Sequence, residues 1–194
     1  MISEGLINDL RRSFPGAKAI YVYGGALDCS THDVDVAVFI RDPPKPGDYL
    51  DFLTRWPNVD LQFIRDVRET LFMVYVVKTG LLVHGEPIDV DVNRALENEL
   101  GRVGDRTETF LRGDNEVMVC KSLKELMYLV AALKCGIDGS SNWYRMGRCL
   151  RNNLGIEAPV EFKDCLSPPD LGTLRRVGEP VLNALLAELR RYYG

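Results

Sequence analysis

The chain has 194 residues, 46% of them apolar and 27% charged, with a formal charge of −4. That is room for one full domain or two small ones, and such ordinary globular usage excludes a disordered, collagenous or coiled-coil chain. Residues 1–92 carry 9 Lys/Arg against 14 Asp/Glu and residues 93–194 carry 15 against 14, so the strongly basic footprint of a dedicated nucleic-acid binder is missing.

Leu6, Ile7, Leu10 and Phe14 recur at helical spacing behind Ser3, a suitable N-cap, and Pro15-Gly16 ends the pattern. Ala19 to Tyr23 and Val34 to Ile40 are apolar and β-branched, so each reads as a strand, with a tight polar turn between them. Three prolines in the four positions 43–46 place a loop there, and a brief helix follows from about Asp48 to Arg55. Val59-Asp60-Leu61-Gln62-Phe63 alternates as a half-buried strand does, which sets Asp60 and Gln62 on one face. Val67 to Lys78 reads as a largely buried helix closed by Gly80, and Leu81 to Gly85 as a short closing strand.

Near residue 90 the pattern turns helical for good, with helices expected at about 93–111, 115–135, 142–154 and 170–193. Asp114 and Ser167 stand where caps belong, and Leu182, Leu185, Leu186 and Leu189 suggest a core-facing stripe on the last helix. The expected fold is therefore α+β, a small mixed β-sheet with flanking helices over residues 1–90 followed by an all-α bundle over 91–194. Cys29, Cys120, Cys135, Cys149 and Cys165 are odd in number, contain no Cys-x-x-Cys pair and mostly fall among apolar neighbours, so they read as buried reduced thiols rather than a disulfide frame or a zinc site. No run approaches the roughly 18 consecutive apolar residues of a membrane-spanning helix. Glu4 and Asp9 lie near the N-terminus, with no apolar core before a small-residue cleavage site, so no signal peptide is expected. A cytoplasmic protein without membrane partners is the expectation.

The stretch that carries chemistry runs from Tyr23-Gly24-Gly25 to Asp33-Val34-Asp35-Val36-Ala37-Val38. Side chains two apart on a strand point the same way, so Asp33 and Asp35 converge while Val34, Val36 and Val38 face the core. Adjacent carboxylates repel unless they share a proton, a cationic partner or a divalent ion. No Lys or Arg lies between Lys18 and Arg41, which favours the ion. Gly24 and Gly25, lacking Cβ, let backbone N–H groups approach phosphate oxygens, and Ser30 offers a hydroxyl to a carboxylate or phosphate. Asp60 lies on the polar face of another strand, from which it can join the pair. Three carboxylates and a glycine cradle suit two-metal nucleotidyl transfer.

These motifs, together with the segment Gly80-Leu81-Leu82-Val83-His84-Gly85, resemble the minimal nucleotidyltransferases of the DNA polymerase β superfamily, relatives of kanamycin nucleotidyltransferase and of the antitoxin half of MNT/HEPN pairs. The resemblance covers about residues 15–88. It implies that Asp33, Asp35 and Asp60 are catalytic and bind two Mg²⁺ ions, Asp60 also serving as general base, and that Gly24 and Gly25 hold the triphosphate; Ser30 is the further nucleotide-binding candidate, with a turn role as its alternative. The implied partners are an NTP, ATP being the expected one, and an unidentified hydroxyl acceptor. The family usually has Gly-Ser and a longer turn, whereas here Gly25 stands second and seven residues precede Asp33. An alternative therefore stays open: a catalytically weak or inactive, antitoxin-like or scaffold protein that binds a protein partner through its helical half.

The remaining polar features read as structural. Asp89 and Asp91 suit a helix-start cap or linker, and His32 and His84 lack zinc-site spacing. Trp143, Tyr144, Arg145, Arg148 and Arg151 offer an aromatic and basic helix face that is either solvated or able to stack a base. Arg148 and Arg151 lack the nearby His of HEPN ribonucleases, so the helical half resembles the helical domain of kanamycin-type enzymes instead. Nucleic acid is a disfavoured partner, and the last helix, ending in Tyr192-Tyr193, leaves a homodimer open.

Overall fold

The computed structural model describes residues 2–29 and 31–194. The chain divides into two compact units, Met1–Ala95 and Leu96–Gly194, the first a four-stranded mixed sheet with flanking helices and the second helical.

In the first unit α1 (Glu4–Ser13) starts where Ser3 Oγ accepts the Leu6 N–H at 3.2 Å. This satisfies one of the N–H groups that every helix start leaves unpaired. Strand β1 (Ala19–Tyr23) is buried along its whole length. It lies between β2 (Val34–Phe39) and β4 (Leu81–Gly85), antiparallel to both, and β3 (Val59–Ile64) closes the far edge parallel to β2. The parallel pair requires a crossover, supplied by α2 (Pro46–Arg55), with Pro46 in the first turn where its missing N–H costs nothing.

Strand alternation sends Ile20, Val22, Val34, Val36, Val38, Val59 and Leu61 into one core layer with Leu6, Leu10, Phe14 and Phe52 from α1 and α2. Full burial of a side chain such as Phe52 is worth about 1.5 to 3 kcal/mol. The alternate set, which includes Tyr21, Tyr23, Asp35 and Asp60, lies on the other face of the sheet. There the Tyr21 hydroxyl accepts the Ile88 N–H at 3.0 Å.

The helix expected from Val67 starts later, as α3 (Leu71–Val74), because Thr70 caps it by accepting the Met73 N–H at 3.2 Å. It continues as a π-helical turn over Tyr75–Thr79 and stops at Gly80. The Gly80 backbone is pressed so closely against the Val76 and Val22 carbonyls that a Cβ there would collide with the Val76 oxygen. Only glycine fits this handover into β4.

The expected helix at 93–111 is two helices, α4 (Val92–Gly101) and α5 (Val103–Arg112), separated at Arg102. Asp91 Oδ1 accepts the Asn93 and Arg94 N–H groups at 2.9 and 3.1 Å, so the second Asp-x-Asp supplies a cap. In the second unit α6 (Glu116–Ser140) runs past its expected end through a kink at Gly136, and α7 (Trp143–Leu154) and α8 (Leu171–Tyr193) follow. Asn115 and Asp170 cap α6 and α8 in place of the expected Asp114 and Ser167, one residue and three residues further along the chain. The buried stripe of α8 is Leu174, Gly178, Val181, Leu185 and Glu188, whereas Leu186 is exposed. The stripe runs beside the leucine repeat because Gly178 packs directly against Phe110 and Leu123.

The reduced-thiol reading of the cysteines is overturned for four of the five. Cys120 pairs with Cys165 and Cys135 with Cys149, with Cα separations of 5.8 and 6.3 Å, while Cys29 keeps a free thiol that is exposed rather than buried as expected. Both separations suit a disulfide, and helix packing creates them from residues distant in sequence. Arg106, largely buried, bridges Glu99 at 2.5 Å and Glu125 at 2.6 Å, and buried Glu188 meets Lys134 at 3.3 Å and Arg191 at 3.0 Å. Among the described residues no helix is long and apolar enough to cross a membrane.

Candidate functional site

The site grows from one row of the sheet. In β2 Asp35 stands opposite Tyr23 of β1 on one side and opposite Asp60 of β3 on the other. In-register residues on neighbouring strands share a face, so the row Tyr23, Asp35, Asp60 sets two carboxylates side by side. Asp35 is half-buried and Asp60 exposed. Burial, and then the charges of Asp35 and Asp60, push the Tyr23 phenol well above its ordinary pKa. The phenol thus stays neutral beside the anionic pair.

Gly24 follows Tyr23 directly with φ +78°, a left-handed conformation, and a Cβ there would stand 2.5 Å from Asp35 Oδ2. The backbone thereby approaches the carboxylate at a distance no side chain permits. Gly24–Asp28 forms a 3₁₀ turn, in which the Gly25 carbonyl accepts the Cys29 N–H. Gly25 is buried within it.

The other expected site residues are placed less closely. Asp33 is exposed and stands one residue before β2, its carbonyl accepting the Thr31 hydroxyl at 3.1 Å. Ser30 lies outside the described residues. His32 is exposed and its carbonyl accepts from Asn58 at 3.2 Å, and His84 is half-buried on β4. Among the described residues no group of three His, Cys, Asp or Glu side chains gathers tightly enough to hold a metal unaided. The in-register pair still fits a hard divalent ion, because Mg²⁺ commonly takes one or two protein carboxylates and completes its shell with water and substrate phosphate oxygens.

On α7 the aromatic and basic face is largely engaged internally. Trp143 is buried against Tyr128 with ring centroids 6.4 Å apart, Arg145 donates to the Asp138 carbonyl at 3.3 Å and Arg151 pairs with Glu157 at 3.0 Å. Trp143 is therefore not part of an open stacking face.

Two residues at the site escape a reading by motif. Tyr23 looks like an ordinary strand aromatic, and Phe72 like one more apolar residue of a buried helix. Yet their rings meet edge to face, with centroids 5.7 Å apart. The exposure of Phe72 inside an otherwise buried apolar run comes from the fold, and periodicity alone does not single it out.

No protein-family model, curated protein or solved structure matches this chain.

Proposed function

We propose that the chain is a metal-dependent nucleotidyltransferase, its first unit carrying the nucleotidyltransferase fold and its helical unit serving as an accessory domain. The observation that supports this most is the register match of Asp35 and Asp60 on parallel strands, with the left-handed Gly24 backbone set against Asp35. Asp35 and Asp60 would hold Mg²⁺, with exposed Asp33 beside the entrance to β2 as the third carboxylate. The ion supplies charge neutralisation on the triphosphate and activation of the attacking hydroxyl.

In the reaction the acceptor oxygen forms a bond to the α-phosphorus and the bond to pyrophosphate breaks. The hydroxyl proton passes to the Asp60 carboxylate. The turn at Gly24-Gly25 receives the β- and γ-phosphates through backbone approach, since Ala26-Leu27-Asp28 offers no cation. The neutral Tyr23 phenol adds no further negative charge to the site.

Calorimetric titration of Mg²⁺·ATP, and then the other Mg²⁺·NTPs, into the full chain and into Asp35→Asn and Asp60→Asn variants tests this reading. Metal-dependent binding that both variants lose is the expected result. Binding that is unchanged in both variants sinks the proposal. An absence of binding to the unaltered chain favours the inactive, partner-binding alternative.

A further inference from the structure

Phe72 departs from its surroundings. Leu71, Met73, Val74, Tyr75 and Val76 are all buried, whereas Phe72 leaves 41% of its surface exposed. Its ring is nonetheless held in place: it meets the Tyr23 ring at an interplanar angle of 82° with centroids 5.7 Å apart, and Tyr23 is itself only 8% exposed. An edge-to-face pair with one immobile member fixes the other and leaves the latter's outer face available.

The position of that face matters more than its exposure. Tyr23 is the row partner of Asp35, Asp35 is the row partner of Asp60, and Gly24 is the next residue along the chain. A single ring therefore separates the open phenyl face from the carboxylate pair and the glycine turn. A ligand that binds at the carboxylates through a divalent cation and extends past Tyr23 meets an aromatic surface. The acidic row selects against a bare anion, while a neutral planar heterocycle rests on phenyl without any charge penalty.

We propose that Phe72 is the stacking platform for the nucleobase of a magnesium-bound nucleoside triphosphate whose phosphates lie at Gly24-Gly25. The inference rests on the nucleotidyl-transfer reading and deepens it by assigning the part of the site that grips the base. Stacking on phenyl is tolerant of base identity, because every base offers a π-face. The platform consequently strengthens binding of all four nucleotides and contributes little to choosing among them.

The test separates the two halves of the ligand. Mg²⁺·ATP and Mg²⁺·tripolyphosphate are titrated calorimetrically into the full chain and into Phe72→Ala, Phe72→Trp and Asp35→Asn variants. Phe72→Ala is expected to weaken ATP binding about 5- to 150-fold, the range that one base–aromatic stack provides, and to leave tripolyphosphate binding unchanged. Phe72→Trp is expected to keep ATP affinity, with the added indole quenched by ATP and not by tripolyphosphate. If Phe72→Ala binds ATP as the unaltered chain does, or loses both ligands equally, the platform is refuted. In the first case tripolyphosphate binding that depends on Asp35 leaves the underlying site reading intact. If the unaltered chain binds neither ligand, platform and site fall together.

Discussion

Breaking the two disulfides of the helical unit is the perturbation whose size follows most directly from the fold. Cys120–Cys165 closes a sequence separation of 45 residues and Cys135–Cys149 one of 14, and the chain-entropy treatment assigns them about 4 and about 3 kcal/mol at 25 °C. The values do not add, because the shorter loop lies inside the longer one. Thiol titration of the denatured, unreduced chain is the first assay, expected to find one reactive thiol, Cys29, out of five cysteines. Urea unfolding with and without reductant is the second, and a loss of about 3 kcal/mol moves the midpoint by roughly 1 to 3 M at the denaturant sensitivity of a small domain. The half-buried Cys135 should yield its bond before the fully buried pair does. Five thiols in protein isolated under alkylating conditions, or a midpoint that reductant leaves in place, would refute the pairing. That outcome would restore the reduced-thiol expectation, since disulfides generally persist in oxidising compartments.

Three further outcomes are expected. Gly24→Ala places a Cβ 2.5 Å from Asp35 Oδ2 at φ +78°, so the left-handed conformation costs about 1 to 2 kcal/mol and Asp35 is displaced; unfolding midpoints and Mg²⁺·ATP titrations should both report the damage, and a variant matching the parent in both measurements contradicts the close approach. Arg106→Ala strands buried Glu99 without its partner at 2.5 Å, a loss of about 3 to 5 kcal/mol readable in urea unfolding, whereas Glu125→Ala, at the half-exposed end of the same bridge, should cost far less. Asp9 is held below the ordinary carboxylate pKa first by the Trp56 indole N–H and then by Arg12. A depressed folded value gives stability that is present above the unfolded pKa of about 3.9 and disappears as pH falls through the folded one. Asp9→Asn should therefore flatten the acid limb of a plot of urea midpoint against pH, and an unchanged limb counts against the arrangement.

What the sequence made legible, and what it hid, divides by range. The alternation in Val59 to Phe63 announces β3 and the solvent-side position of Asp60, because side-chain direction along one strand is a local property. That Asp60 stands opposite Asp35 is a matter of register between strands joined through α2, and no local pattern specifies it. The start of α3 lies later than Val67, an isolated apolar residue among Asp66, Arg68 and Glu69, because the decisive signal is the Thr70 hydroxyl accepting the Met73 N–H. The cysteine pairs lay beyond reach for the same reason as the register: each joins α6 to a residue brought up by tertiary packing. Phe72 is apolar like its buried neighbours, and only its exposure and its Tyr23 contact, both products of tertiary packing, distinguish it.

The parallel row of Asp35 and Asp60 also bears on which strand alignment the chain accepts. The same pair proofreads the alignment, for a slip of one residue in β3 would turn Asp60 into the apolar layer around Leu10 and Phe52 and push Leu61 outward. A misaligned chain is thus sent back to try again by the residues that, once aligned, form the acidic row.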